Sequence, residues 1–283
     1  MKTISLTYEN VGDYGAWIVP DMAENLDREY YRGLILEDDD DTPVAGMLYE
    51  ILYNEEERPT EAAIRWLKIT DGSVAPALFE AYGRAAKDNG VSRTSFVIPV
   101  KDSVVEKAAL KEAGFRVKLT EGNDIIVTLE ELKALPIMKS TAVPDSIRPL
   151  NRVNARAFRR AVSKCSMLGK KGVCEDLSYL PLSWFDPDVS CYSEEDGEVN
   201  GLMLFHKRPS GVMAIQLMIG LTSDPQMILL GMMRQFVISL EACYGPMVKV
   251  ILDRHNQSSF KLSEKLLPRG FGIPVYAGDR EEE

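Results

Sequence analysis

Few residues in this sequence are of the types that bond-making chemistry needs, and their spacing restricts them further. The two histidines, His206 and His255, stand singly at the ends of strand-like stretches. Either could act as a general base by residue type, but an isolated histidine there reads first as a surface residue. The four cysteines, Cys165, Cys174, Cys191 and Cys243, include no C-x-x-C pair, and neither histidine lies near two of them. Zinc ligation is therefore not expected, and buried reduced thiols are. The run Asp38 to Asp41 puts four carboxylates on one tight turn, where they diverge. The alternating spacing of a calcium loop is missing, so the run reads as a solvated hairpin tip and no metal site is expected. Gln216 is the only amide in an apolar strand. A buried amide needs partners, either as a structural anchor or against a bound molecule. Arg152, Arg156, Arg159, Arg160, Lys164, Lys170 and Lys171 form the one basic patch, at the spacing of a solvated amphipathic helix face.

The elements that must position these residues are bounded by composition. A chain of 283 residues with 45% hydrophobic content suits two globular domains better than one core. Its formal charge of −10 repels phosphate backbones, so nucleic acid is not an expected partner. Apolar runs such as Met227 to Met233 are short of a membrane span, and the first residues carry no signal-peptide pattern. A cytoplasmic protein that neither enters nor binds a membrane is expected.

An internal repeat organises the rest. Leu34 to Leu48 and Ser190 to Leu204 each read as a hairpin with an acidic tip followed by Val-x-Gly, placing Gly46 and Gly201 155 positions apart. Apolar strands follow at Ala62 to Thr70 and Gly211 to Thr222, each succeeded by a long helix. The first helix stops at Asn89-Gly90 and the second at Tyr244-Gly245. Strands at Thr94 to Val100 and Val248 to Asp253 come next, then a helix ending in Gly114-Phe115 or Gly270-Phe271, 156 positions apart. The prolines Pro136, Pro144 and Pro149 mark a boundary, giving domains 1–135 and 146–283 with a linker at 136–145. Each half predicts an α/β mixed sheet with helices on both faces, and the early helices of the first half are shortened.

This order of elements, taken twice, resembles the GNAT acyl-CoA N-acyltransferases. The best local match is Ala75 to Val91, similar to the family's third helix, the one that follows its cofactor loop. The resemblance implies two tandem GNAT domains and acetyl-CoA, or another acyl-CoA, as co-substrate. A pyrophosphate needs converging backbone N–H donors at a helix N-terminus. Aligned on the family's Q/R-x-x-G-x-G/A loop, Thr70 to Ala75 takes that place, with Ser73, Val74 and Ala75 as cofactor-binding residues. The resemblance further implies that Leu67, Lys68 and Ile69 on the fourth strand lie along the acyl arm, near a bulge that frees a backbone oxyanion donor. Asn256 corresponds to an asparagine that helps hold the pantetheine arm. The family's usual tyrosine acid is replaced by Leu110 and Leu266. Tyr82, Tyr244 and Tyr276 are conceivable substitutes that read first as packed aromatics, so no catalytic residue is assigned.

Two functions follow as expectations. One is an N-acetyltransferase that moves an acyl group from acyl-CoA to an amine of a small molecule or peptide, with self-association as a homodimer left open. The other is a degenerate GNAT pair that senses a CoA ester or another metabolite, or serves as an interaction module. Loop carboxylates at Asp71 and Asp224 favour the second.

Overall fold

Two mixed sheets carry the fold of this computed structural model, which describes residues 1–28, 30–53, 59–140, 142–167, 177, 180–254, 260–261, 263–264 and 272–282. In the first, β1 (Lys2–Leu6), β2 (Tyr31–Glu37), β3 (Pro43–Tyr53), β4 (Pro59–Ile69), β5 (Arg93–Pro99) and β6 (Arg116–Glu121) are interleaved with α1 (Pro20–Ala23), α2 (Ala75–Asp88) and α3 (Val104–Glu112). The second holds β7 (Asp124–Thr128), α4 (Leu129–Lys133), β8 (Ile147–Pro149), α5 (Ala155–Met167), β9 (Cys191–Glu195), β10 (Glu198–Lys207), β11 (Met213–Gly220), α6 (Gln226–Tyr244) and β12 (Lys249–Asp253). The last strand, β13 (Pro274–Glu281), returns to the first sheet.

Strand order is β1-β2-β3-β4-β5-β13-β6 in one sheet and β7-β12-β11-β10-β9-β8 in the other. Among the described residues each contains a single parallel pair, β4 with β5 and β11 with β12. Each is therefore the mixed α/β sheet that the sequence predicts.

Local chemistry explains the elements. Asp196 and Gly197 both take positive φ (52° and 78°), which twists the two-residue turn between β9 and β10 to match its strands. Gly90 at φ 69° and Gly245 at φ 74° stop α2 and α6 at the expected places. The apolar stripe of α2 buries Leu78, Phe79, Ala81, Tyr82 and Ala86 against the sheet, together with Ala109 and Leu110 of α3. In the second sheet α6 buries Met232, Met233, Phe236, Val237 and Leu240. Met227 is 66% exposed and stands outside that core. By length and composition α6 could cross a bilayer, but it packs as the core helix of its sheet.

Ladder pairing fixes how the two halves correspond. Ala45 pairs with Ile69 and Gly201 with Gly220; Met47 pairs with Leu67 and Met203 with Met218. The counterpart of Gly201 is thus Ala45, and Gly46 matches Leu202, an offset of 156 and not 155. A slip of one residue reverses the face of a strand. A Cβ on Gly46 would meet Ile35, Trp17 and Trp66, whereas one on Gly201 would meet Ile228 and Met232 of α6. The two glycines therefore answer different packing problems, on opposite faces of their sheets.

The compact units are residues Met1–Gly122 with Ile273–Glu283, and Asn123–Gly272. They do not divide at 136–145. That proline-rich stretch belongs to the second unit, where Arg234 of α6 donates from Nε to the Ile137 carbonyl at 2.9 Å. Residues 123–135, expected in the first domain, supply β7 beside β12, and β13 takes the place between β5 and β6.

Candidate functional site

In each unit the two parallel strands part after a short shared run, and a bulge lies at the point of parting. β4 pairs with β5 from Glu61↔Arg93 to Ile64↔Phe96 and then continues against β3 only. Leu48 pairs with Trp66 and Tyr49 with Ile64, so Arg65 is the extra residue of the bulge. In the second unit β11 pairs with β12 only at Met213↔Val250 and Ala214↔Ile251, and Gln216 is the extra residue.

Backbone alternation then decides which N–H groups face the gap. Thr70 N–H donates to the Val44 carbonyl at 3.0 Å, toward β3. Successive N–H groups in an antiparallel strand point to opposite sides, so Ile69 and Leu67 turn theirs toward the side that β5 has left. By the same rule, Leu221 N–H donates to Asn200 at 2.8 Å and leaves Gly220 and Met218 facing the β12 side.

The first unit already uses one of its gap-facing donors and those of its loop. Ile69 N–H donates to Oε1 of Glu106 on α3 at 3.0 Å. Glu106 is 6% exposed, and its Oε2 is buried with no hydrogen-bond partner. Ser73 N–H donates to the Asp71 carboxylate at 2.7 Å, Val74 N–H to the Asp71 carbonyl, and Ala75 N–H to the Gly72 carbonyl. The Ser73 hydrogen bond holds the Asp71 carboxyl below its ordinary range. Lys68 points to the other face, with Nζ 4.7 Å above the Trp17 ring, and Trp17 meets Trp66 edge-on at 5.8 Å. Leu67 is buried in the core under α2 and α3.

In the second unit Pro225 packs on Gly220, where an added Cβ would lie 2.3 Å away. Asp224 Oδ1 lies 3.5 Å from the Gln226 N–H at the start of α6. Neither feature makes a phosphate cradle of loop 221–225. Thr222 Oγ1 is buried and unpartnered. Asn256, His255, Leu266 and Gly270-Phe271 lie outside the described residues.

The remaining candidates have structural partners. Leu110 is fully buried in the core. Tyr82 shares a hydrogen bond of 2.6 Å with Thr94, and burial raises its pKa. Burial and the Asp186 carboxyl on its hydroxyl raise that of Tyr244 as well. Tyr276 lies under Lys107, whose Nζ is 4.3 Å from the ring centroid. The His206 ring stacks on Trp184 at 3.9 Å, with Nδ1 2.8 Å from the Trp184 carbonyl oxygen. Burial pushes the Cys191 thiol up to about 12, which removes it as a nucleophile. Asp38 Oδ1 accepts from Asp40 N–H and Thr42 N–H at 3.0 Å, so this carboxyl is spent on the turn. Among the described residues no group of His, Cys, Asp and Glu is arranged to hold a metal.

Sequence reasoning missed Glu106 and Trp17. Glu106 carries a readable signal, because with Ala109, Leu110 and Ala113 it falls on the apolar stripe of α3.

No family profile and no curated protein matches this sequence. Solved structures do match. A tandem GNAT protein from the clavulanic acid biosynthesis pathway, determined without acetyl-CoA, aligns at TM-score 0.66 and 11% identity over 100% of this chain and 98% of its own. A GCN5-related glucosamine N-acetyltransferase region of a fungal multi-domain β-N-acetylglucosaminidase aligns at TM-score 0.61 and 11% identity, over 99% of this chain and 38% of its own. A GCN5-related N-acetyltransferase from Sphaerobacter thermophilus aligns at 0.57 and 12% identity, over 97% and 85%. The chain has the GNAT fold in tandem over its full length.

Proposed function

We propose that this chain is an acyl-CoA-dependent N-acyltransferase that acts on an amine of a small molecule or peptide, with the acyl donor held along β11 of the second unit. The observation that carries this reading is the bulge at Gln216, beyond which β11 runs without β12 and turns the Met218 N–H toward the opening. Such an N–H can stabilise the oxyanion that forms when an amine adds to a thioester carbonyl. The neutral amine forms the new C–N bond, the C–S bond breaks, and the ammonium proton passes through water to the departing thiolate. In the first unit the Ile69 N–H, the counterpart of the Gly220 N–H, is spent on Glu106 and the loop on Asp71, and these two contacts favour the second unit for the donor, against the leaning of the sequence match at Ala75 to Val91. Asn256, three residues past β12, supports the same assignment by residue type. The pyrophosphate gains little from loop 221–225, and the hold on the donor rests mainly on its acyl arm.

A second reading is favoured by the same loops and by the buried Leu110: a CoA-ester sensor without turnover. Thiol release from acetyl-CoA, followed with the intact chain across a panel of amines, separates the two. Saturable binding of acetyl-CoA without amine-dependent thiol release would replace the transferase reading with the sensor. The absence of binding at millimolar acetyl-CoA would remove both.

A further inference from the structure

We infer that Glu106 is the residue that closes the first unit to acyl-CoA, acting as a built-in occupant of the β4 edge; this rests on the reading that acyl-CoA is the co-substrate of the chain. Past Ile64 the gap side of β4 has no strand partner among the described residues, and an extended polyamide arm entering there would need the Ile69 and Leu67 N–H groups. Glu106 takes the first of them at 3.0 Å. The contact is not a surface accident. Glu106 lies in the first turn of α3 and is 6% exposed, at the helical spacing that puts it on one face with the buried Ala109 and Leu110. Its Oε2 finds no hydrogen-bond partner. A buried polar atom left unpaired is unfavourable, so packing alone would favour an apolar residue at this point.

The repeat supplies the comparison. At the offset of 156 that relates β5 to β12, the residue matching Glu106 in sequence is Leu262, which lies outside the described residues. Asp71 strengthens the closure, because its carboxylate holds the Ser73 N–H four residues past Ile69, and a phosphate would meet a negative charge there.

The variant Glu106→Leu removes the acceptor and suits the apolar surroundings. Glu106→Gln keeps a carbonyl oxygen for Ile69. Calorimetric titration of the intact chain with free CoA should show one more CoA per chain for Glu106→Leu than for wild type, and no gain for Glu106→Gln. A folded Glu106→Leu chain that binds no more CoA than wild type overturns the inference. If wild type binds none and Glu106→Leu binds one, the inference stands and the assignment of the donor to the second unit falls. Hydrogen exchange on wild type gives an answer that depends on no variant. Saturating CoA should slow exchange in residues 215–221 and leave Ile69 unchanged, whereas slowing at Ile69 would show that Glu106 does not keep the ligand out.

Discussion

Arg65 and Gln216 occupy the same place in their two sheets: each is the extra residue of a bulge, 151 positions apart, at the point where a parallel partner strand departs. Strand offsets on either side are 156, since Met47 matches Met203 and Thr94 matches Val250. The first unit therefore carries five more residues between β3 and β4, and the second five more between β11 and β12. Both bulges survive these length changes. A bulge re-aims the strand beyond it, and here it precedes the N–H groups that face the gap.

On the proposed reading, the Met218 N–H is a donor that the β10 ladder does not need. Met218→Pro removes it and leaves the ladder hydrogen bonds of Leu217 and Ile219 in place. Steady-state thiol release should fall on the order of 10²–10³-fold in kcat, as when one oxyanion donor is lost. Leu67→Pro in the first unit should not lower it. Unchanged turnover in a folded Met218→Pro chain would place the thioester carbonyl against a different donor.

What the sequence made legible was local. Strand and helix positions followed from apolar runs and from stops such as Asn89-Gly90. The register did not, because Gly46 and Gly201 look equivalent in a motif while their Cβ directions differ by one ladder step. The boundary at 136–145 failed for a related reason. Prolines announce where helices and strands end, not which sheet the next strand will join, and β7 and β13 each pair with strands far away in sequence. At the site, the loop carboxylate Asp71 was visible, but its use as an internal acceptor depends on backbone geometry that residue types do not encode.

Asp279 ties β13 to both neighbours. Its Oδ1 accepts from Arg116 Nε at 2.9 Å on β6, and its Oδ2 from Arg93 Nε at 3.1 Å on β5. The Arg93 hydrogen bond is the main cause of a carboxyl held below its ordinary range. A carboxyl with a lowered folded pKa favours the folded chain above its unfolded value, about 3.9 for Asp, and that advantage is lost as pH falls through the folded value. Asp71 titrates in the same direction. Asp279→Asn should lower Tm at pH 7 and flatten the decline of Tm below about pH 4. Thermal melts from pH 7 to pH 2 give the answer, and parallel curves for the two proteins would show that Asp279 adds no pH-linked stability.

Gly278 permits the closest approach in the first sheet. A Cβ there would stand 1.8 Å from the Arg116 carbonyl oxygen, which is backbone and cannot swing aside. Gly278→Ala should destabilise the first unit by about 3 kcal/mol or more, at the upper end of overpacking effects. Gly197→Ala in the second unit meets nothing within 4 Å and bears only the strain of φ 78°, costing about 1 kcal/mol. Urea unfolding of both variants would rank them, and an equal loss would mean that β6 yields to the methyl group.

The return of β13 also sets where the chain can be cut. Among the described residues β6 has β13 as its only sheet neighbour, and β5 has it on the side away from β4. Arg280 donates from Nη1 to the Ala113 carbonyl at 2.8 Å at the end of α3 and lies 4.6 Å from the Phe115 ring, so the strand also secures a helix end. A chain ending at Gly272 keeps every strand of the second sheet and loses a central strand of the first. Native-state hydrogen exchange on that truncated chain should show residues 93–121 losing protection while residues 191–220 keep it. A synthetic peptide of residues 273–283 added in trans should restore protection by strand addition. Full protection of β5 and β6 without the peptide would mean that the first sheet closes on another strand. A cut at 136–145 should fail differently, because it separates β7 from β12 and β13 from β5, leaving both fragments with an open sheet edge prone to association.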